Sequence, residues 1–262
     1  MITVELKGHT GNNMFQIAAA IGLAKINSTS SGYVGGNDKV IPFKLDGISL
    51  NTNASKKLFD EQSFSFYNKF NLLKDNTHLR GYFQSYKYFT NANDEVKTAF
   101  TFKDYLYPEL YGIDNFRYEG LLEEKNLTGL HVRRGDYLNY PDIYPRIELG
   151  YYFNCLEKIK NREIILIFSD DIQWCREKFI GNRYLFVTAP PAHSLLLMSQ
   201  CDNLIISNST FSWWGAWLGK NKRVFRPSVW FGSKWPYNSS HASEADCTKD
   251  LCPKHWEIMQ RC

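Results

Sequence analysis

Apolar runs alternate with polar clusters along this chain, and the period of each run predicts an element. "MITVEL" reads as a strand, "KGHTGNN" as a turn-rich loop, and "MFQIAAAIGLAKI" as a helix with so few polar positions that it must be buried. Strand, glycine loop and helix together open an α/β unit. From Asn27 to about Phe70 the pattern weakens to Gly, Ser, Asn and short apolar pieces. "HLRGYFQSYKYF" (His78–Phe89) then predicts a strand leading into a helix, and "NANDEVKTAFTF" a helix. Lys103–Asn126, with proline, glycine and mixed charge, is the expected domain junction.

The second half alternates more clearly. "LTGLHVRRGDY" predicts a strand into a loop, "LGYYFNCLEKIKN" a helix, "EIILIFSD" a strand and "DIQWCREKFIG" a helix. "YLFVTA", "AHSLLLMSQC", "DNLIISNST", "FSWWGAWLG" and "RVFRPSVWF" continue as strand, helix, strand, helix, strand. Several of these strands are continuous apolar runs, the pattern of a parallel sheet covered on both faces. In such sheets ligands bind beyond the carboxyl ends of the strands. Four polar clusters fall at that kind of place: "GHTGNN", "HVRRGDY", "FSDD" and "SNSTFS".

Composition narrows the class. The 262 residues suit one large domain or two small ones, and 44% hydrophobic with 22% charged residues is globular. A net charge of +4 permits an anionic ligand, and the scattered basic residues argue against nucleic acid. The start has no basic region followed by an apolar one, and no apolar run is long enough to span a bilayer. A soluble cytoplasmic protein with no transmembrane segment is therefore expected. The six cysteines show no CxxC or zinc spacing and read as free thiols, although Cys247 and Cys252 could pair in an oxidising setting. There is no D-x-D, no H-E-x-x-H and no G-x-S-x-G, so neither a bound metal nor a hydrolase nucleophile is expected.

Each cluster suggests chemistry beside a plainer structural role. Gly8–Asn13 could bring backbone N–H groups and a helix dipole to a phosphate, or could be a tight turn. In "HVRRGDY" a period of two puts His131 and Arg133 on one face and Arg134 on the other. Both arginines can serve one ligand only if the strand has ended by Arg134. One arginine suits a phosphate, whose oxygens its planar fork matches, and the other suits Asp136 or the fold. In "FSDD" one of Asp170 and Asp171 can cap the following helix, and the other could accept from a ribose or a guanine edge. Ser209, Thr210 and Ser212 could donate to phosphate oxygens, whereas Trp213, Trp214 and Trp217 fit a core better than a sugar platform.

Taken together, these blocks resemble the inverting α-1,2-fucosyltransferases that use GDP-L-fucose. "HVRRGDY" is similar to the family's H-x-R-R-x-D, and "SNSTFSWWGAWLG" to its S-N-S-S-F-S-W-W-A-A-W-L. "GYFQSYKYF" (Gly81–Phe89), "GHTGNNMFQIAAA" and the closing "DLCPKHWEIM" resemble further family blocks, in the same order. The resemblance implies an α/β, GT-B-like fold of two Rossmann-like domains facing a central cleft. Residues 1–120 would form an acceptor-side domain and residues 121–245 the domain that binds the nucleotide sugar. Residues 246–262 would be a C-terminal segment that could pack back on the first domain. It further implies transfer of fucose from GDP-β-L-fucose to a glycan acceptor ending in galactose, at O2, by inversion, with no cofactor and no metal.

By the same resemblance Arg133 would grip the β-phosphate and Asp136 would orient the arginines or take part in catalysis. His131 would lie near the guanosine, with Arg134 also on the donor. Asp170 or Asp171 would read guanine or ribose, and Ser209, Thr210, Phe211 and Ser212 would line the diphosphate. Gly11 and Asn12 would approach it from the first domain. His9 and Thr10 stand where the family has Gly-Leu, adding bulk beside the proposed loop. No carboxylate announces itself as the base; Asp136, Asp142 and Glu5 are the nearest candidates. Rival readings are a fucosyltransferase of another linkage or with a protein acceptor, and a non-catalytic glycan-binding protein suggested by 16% aromatics.

Overall fold

A computed structural model describes residues 1–35, 42–50, 53, 57–106, 126–159, 163–235 and 248–260. They fall into two compact units, Met1–Lys103 with Tyr237–Pro253, and Asp104–Pro236 with Lys254–Cys262. Much of the expected junction at 103–126 lies outside the described residues.

The first unit carries five parallel strands: β1 (Ile2–Glu5), β2 (Ser31–Val34), β3 (Ile48–Leu50), β4 (Lys57–Asp60) and β5 (Thr77–Arg80). Their order is β3-β2-β1-β5-β4. Helix α1 (Thr10–Ile26) packs on β1 and β2 and is buried without a break from Asn13 to Ala24, which explains why its sequence lacks a polar face. It begins at Thr10, not after Asn13, so Gly11 and Asn12 lie in its first turn and not in a loop. Beyond β5 no α-helix follows directly. Phe83 takes a left-handed φ of 52°, and two 3₁₀ turns, Tyr86–Tyr88 and Thr90–Ala92, lead into the short helix α2 (Asn93–Ala99).

The weak region Asn27–Phe70 in fact supplies three strands. They were hard to see because they are three or four residues long. In addition, β4, "KLFD", is a sheet edge with exposed residues and so shows neither alternation nor an apolar run.

The second unit holds β6 (Leu127–Val132), β7 (Ile164–Ser169), β8 (Tyr184–Val187), β9 (Asn203–Ile205), β10 (Arg223–Pro227) and β11 (Glu257–Met259). All pair in parallel, in the order β11-β10-β9-β6-β7-β8. Counting this unit's strands from one, the order is 3-2-1-4-5-6 read from the β8 edge, the dinucleotide-binding arrangement. The chain first winds from β6 outward to β8, then crosses back to begin β9 on the other side of β6. The topological switch point thus lies between β6 and β9. Edge strand β11 comes from the closing block, and its Glu257 is tied to Arg223 of β10 at 2.7 Å.

Helices α3 (Leu149–Glu157), α4 (Ile172–Lys178), α5 (Pro191–Gln200) and α6 (Thr210–Leu218) complete the unit. Every residue of β6 is buried, as expected for a strand with neighbours on both sides and cover on both faces. Leu130, Val132, Tyr151, Tyr152, Ile165, Ile167, Phe179, Ile205 and Phe225 share one core. Trp213 and Trp214 are fully buried and Trp217 stacks on Trp213, so the tryptophans do pack as core. Cys155, Cys175 and Cys201 are free and buried, Cys252 is buried, and Cys247 and Cys262 lie outside the described residues. Among the described residues no helix is long and apolar enough to cross a membrane.

One buried hydroxyl sets the carboxyl end of β9. Tyr151 Oη on α3 donates to the Ile206 carbonyl at 2.6 Å and reaches the Phe225 carbonyl at 3.1 Å. Removing it in Tyr151→Phe takes this donor from the buried Ile206 carbonyl, while the Phe225 carbonyl keeps the Ile206 N–H at 2.9 Å, and should cost about 1–3 kcal/mol. Urea unfolding should show a lower midpoint at unchanged slope; an unchanged midpoint would mean the hydroxyl does not hold this loop.

Candidate active site

Three of the four polar clusters stand side by side. "HVRRGDY" leaves β6, "FSDD" leaves β7 and "SNSTFS" leaves β9, and these strands are neighbours in the order β9-β6-β7. Because the strands are parallel, all three loops emerge on one edge of the sheet, at the switch point.

Strand β6 ends at Val132, so Arg133 and Arg134 are not constrained to opposite faces by a pleat. They nevertheless take different partners. Arg133 places Nη2 on Asp136 Oδ1 at 2.5 Å and Nη1 on Asp170 Oδ2 at 2.9 Å, with its guanidinium 5.1 Å from the Tyr137 ring centre. Arg134 turns away, with Nε 3.0 Å from Asp171 Oδ2 and its guanidinium 4.0 Å from the Trp174 ring centre. Its backbone N–H donates to Asp170 Oδ1 at 2.9 Å. Asp171 also caps α4, accepting from the Trp174 N–H at 3.3 Å. Asp170 and Asp171 therefore divide between the two arginines, and only Asp171 is a helix cap. Gly135 makes room for this arrangement, since a Cβ there would stand 2.3 Å from Asp170 Oδ2.

Arg133 retains donors for a ligand. Its fork has five N–H groups, and the two aspartates take one each. Yet three carboxylates surround two guanidinium groups, so the cluster as it stands is not cationic. Asp136 is the least committed carboxylate: its side chain is 50% exposed and, among the described residues, its bond is to Arg133 alone.

His131 lies beneath this loop, 5% exposed, with Nδ1 3.3 Å from Ser207 Oγ and its ring 5.9 Å from that of Phe211. Burial, and secondarily the Arg133 charge, push its pKa from 6.5 down to about 3. It is thus neutral at physiological pH and offers a hydrogen bond rather than a charge.

The start of α6 presents the positive end of a helix dipole at the same edge. Ser209 is its N-cap, its Oγ accepting from the Phe211 N–H at 3.4 Å. Ser212 is fully buried and donates to the Ser209 carbonyl at 3.4 Å. Thr210 and Phe211 are the members that reach the surface. Two residues were not foreseen. Tyr137 donates from Oη to the Asn208 carbonyl at 3.1 Å, joining the β6 and β9 loops, and stacks on Tyr144. Asn208 is buried and donates from Nδ2 to the Pro145 and Trp230 carbonyls at 2.9 and 3.1 Å. Both sit inside the quoted blocks, but their partners are remote in sequence and carry no local signal.

Gly11 and Asn12 belong to the first unit, at the carboxyl end of β1. Asn12 Oδ1 accepts from Gln84 Nε2 at 2.9 Å, and Gln16 Nε2 donates to the Gly81 carbonyl at 2.8 Å. Amide side chains thus join the "GHTGNNMFQ" and "GYFQS" blocks across neighbouring strands β1 and β5. Among the described residues no group of three His, Cys, Asp or Glu is placed to hold a metal ion.

Residues 1–233 match Glycosyl transferase family 11. The O-antigen biosynthesis glycosyltransferase WbnK of Escherichia coli is 37% identical over 124 residues, 42% of this chain and 41% of that protein. The α-1,2-colitosyltransferase of Escherichia coli is 28% identical over 227 residues, 78% of this chain and 70% of that protein. Galactoside 2-α-L-fucosyltransferase Sec1 of Mus musculus is 23% identical over 247 residues, 86% of this chain and 66% of that protein. Among solved structures, the fucosyltransferase NodZ from Bradyrhizobium aligns with a TM-score of 0.55 at 11% identity, over 85% of this chain and 94% of that one. POFUT1 in complex with GDP-fucose aligns with a TM-score of 0.50 at 10% identity, over 84% and 95%. The two parallel-sheet α/β units and these alignments give a GT-B-like fold, and the match over residues 1–233 places the chain in glycosyl transferase family 11.

Proposed function

We propose that the chain is a galactoside α-1,2-fucosyltransferase, moving L-fucose from GDP-β-L-fucose to O2 of a terminal galactose, with inversion and without a metal ion. The observation that carries this is Arg133, at the switch point of a dinucleotide-type sheet, held by Asp136 and Asp170 beside the start of α6. Support for the sugar comes from relatives named as α-1,2-transferases of colitose and fucose.

The chemistry follows from where charge develops. As the bond from the anomeric carbon to the diphosphate lengthens, negative charge gathers on the β-phosphate. Arg133 meets it with a permanently protonated fork, and the α6 dipole adds to the field. Asp136 acts through Arg133: it holds the guanidinium in place and yields to the diphosphate, whose two negative charges compete well with a single exposed carboxylate. Arg134, tied to Asp171 and Trp174, keeps the loop in shape. Asp170 and neutral His131 remain to receive or offer hydrogen bonds at the nucleoside. One direct displacement by the galactose hydroxyl inverts the anomeric centre.

The colitosyltransferase relative favours a second reading of the donor. Colitose is fucose lacking the 3-hydroxyl, so the two sugars differ by one hydrogen-bonding group. A site that binds this hydroxyl would reject colitose, and an apolar one would not.

Arg133→Ala should lower fucose transfer by about 10²–10³-fold, the usual loss for one donor to a developing oxyanion. GDP should no longer raise the melting temperature of this variant. Arg133→Lys should recover little, because a point charge cannot bond two oxygens in one plane. Near-normal turnover in Arg133→Ala would remove the arginine from the mechanism. The transfer rate should be the same after dialysis against EDTA; loss on chelation and recovery with Mg²⁺ would contradict the metal-free route.

A further inference from the structure

The carboxylates that hold Arg133 also neutralise it. When a diphosphate takes the place of Asp136, one ion pair is left, to Asp170, and a planar guanidinium can swing about a single pair. A flat neighbour without charge would stop that motion and leave the positive charge to the ligand. Tyr137 is such a neighbour: the Arg133 guanidinium lies over its ring, 5.1 Å from the centre.

The ring is itself held. It stacks on Tyr144, with ring centres 4.4 Å apart and planes 15° from parallel. Tyr144 meets Trp235 edge to face at 5.6 Å, and Trp235 stacks on Phe231 at 3.9 Å. The Tyr137 hydroxyl donates to the Asn208 carbonyl at 3.1 Å. Burial pushes its pKa well above 10, against the pull of the Arg133 charge, so it stays protonated and remains a donor. Asn208 closes the circuit. It is 1% exposed, and its side chain donates to the carbonyls of Pro145 and Trp230, the chain neighbours of Tyr144 and Phe231. A Cβ at Gly232 would stand 2.1 Å from the Asp142 carbonyl oxygen, so the loop after β10 presses directly on the segment that carries Tyr144. All of these residues belong to the second unit.

We propose that Tyr137 is a positioning residue for the transfer: its ring, clamped by Tyr144 and Asn208, keeps the Arg133 guanidinium aimed at the diphosphate after Asp136 has given way. This deepens the transferase reading above and rests on it.

The physics of the contact suits that role. An aromatic face attracts a cation most strongly where water is excluded, and a diphosphate seated on Arg133 excludes it. The ring contact therefore strengthens as the donor binds, whereas the bond to Asp136 is given up. The ring is the working part. The hydroxyl anchors it, and Tyr144 remains as a second anchor when the hydroxyl is gone.

The test compares Tyr137→Leu and Tyr137→Phe with wild type in kcat and KM for transfer of fucose from GDP-fucose to a galactoside, at a temperature where circular dichroism shows all three folded. Tyr137→Leu should lose about 10–30-fold in kcat, the loss expected for a desolvated cation taken off a ring, with the KM for the galactoside unchanged. Tyr137→Phe should melt at a lower temperature, having lost the bond to Asn208, yet stay within about threefold of the wild-type kcat because the ring is kept. In an Arg133→Ala background Tyr137→Leu should cost less than about threefold more, since no guanidinium is left to hold. A Tyr137→Leu enzyme within about threefold of wild type overturns the proposal. So does a Tyr137→Phe enzyme as slow as Tyr137→Leu, or a Tyr137→Leu loss of equal size with and without Arg133; either would mark Tyr137 as loop packing only. A wild type that makes no fucosylated product removes the transferase reading and this inference together. With a wild type that transfers, the variants bear on Tyr137 alone.

Discussion

A parallel sheet sends every strand's carboxyl end to the same edge, and this constraint organises the second unit. β6 is enclosed by neighbours and by both layers of helices, so it tolerates no charge along its length. Its first charged residue can only appear where the strand stops, and that residue is Arg133. The switch in winding direction opens a gap beside β6, which places the α6 start across from the arginine loop. The geometry of this site is thus a product of topology before it is a product of any single contact.

Electrostatics then sorts the two arginines. Neither stands bare: five charged side chains share this edge, with carboxylates in the majority. Arg134 is fixed on two sides by an ion pair and an aromatic face, whereas Arg133 is paired with Asp170 and with the exposed Asp136, which under the proposed function a diphosphate replaces. The salt bridges here are partly exposed and individually modest. Under the proposed function their worth lies in aiming a guanidinium at the diphosphate.

Much of this was legible in the chain itself. The alternation of elements from Leu127 onward, the buried character of α1, the tryptophan core and the capping role of one "FSDD" aspartate all follow from local periodicity and side-chain chemistry. Three of the four polar clusters likewise converge on one sheet edge. What was not legible is what depends on remote partners. Strands β2 to β4 are too short, and β4 too exposed, to show a period. The onset of α1 at Thr10 follows no capping side chain, since His9 makes no cap bond. Tyr137 and Asn208 join loops that the sequence keeps far apart.

The identity of the bond made is the central claim. Incubating the protein with GDP-fucose and a panel of galactose-terminated and other glycans, then assigning the product by NMR, tests it most directly. A single product with fucose α-linked to galactose O2 and one GDP released per transfer is expected. Fucose on another hydroxyl, retention of the β configuration, or glycan binding without any transfer would contradict it.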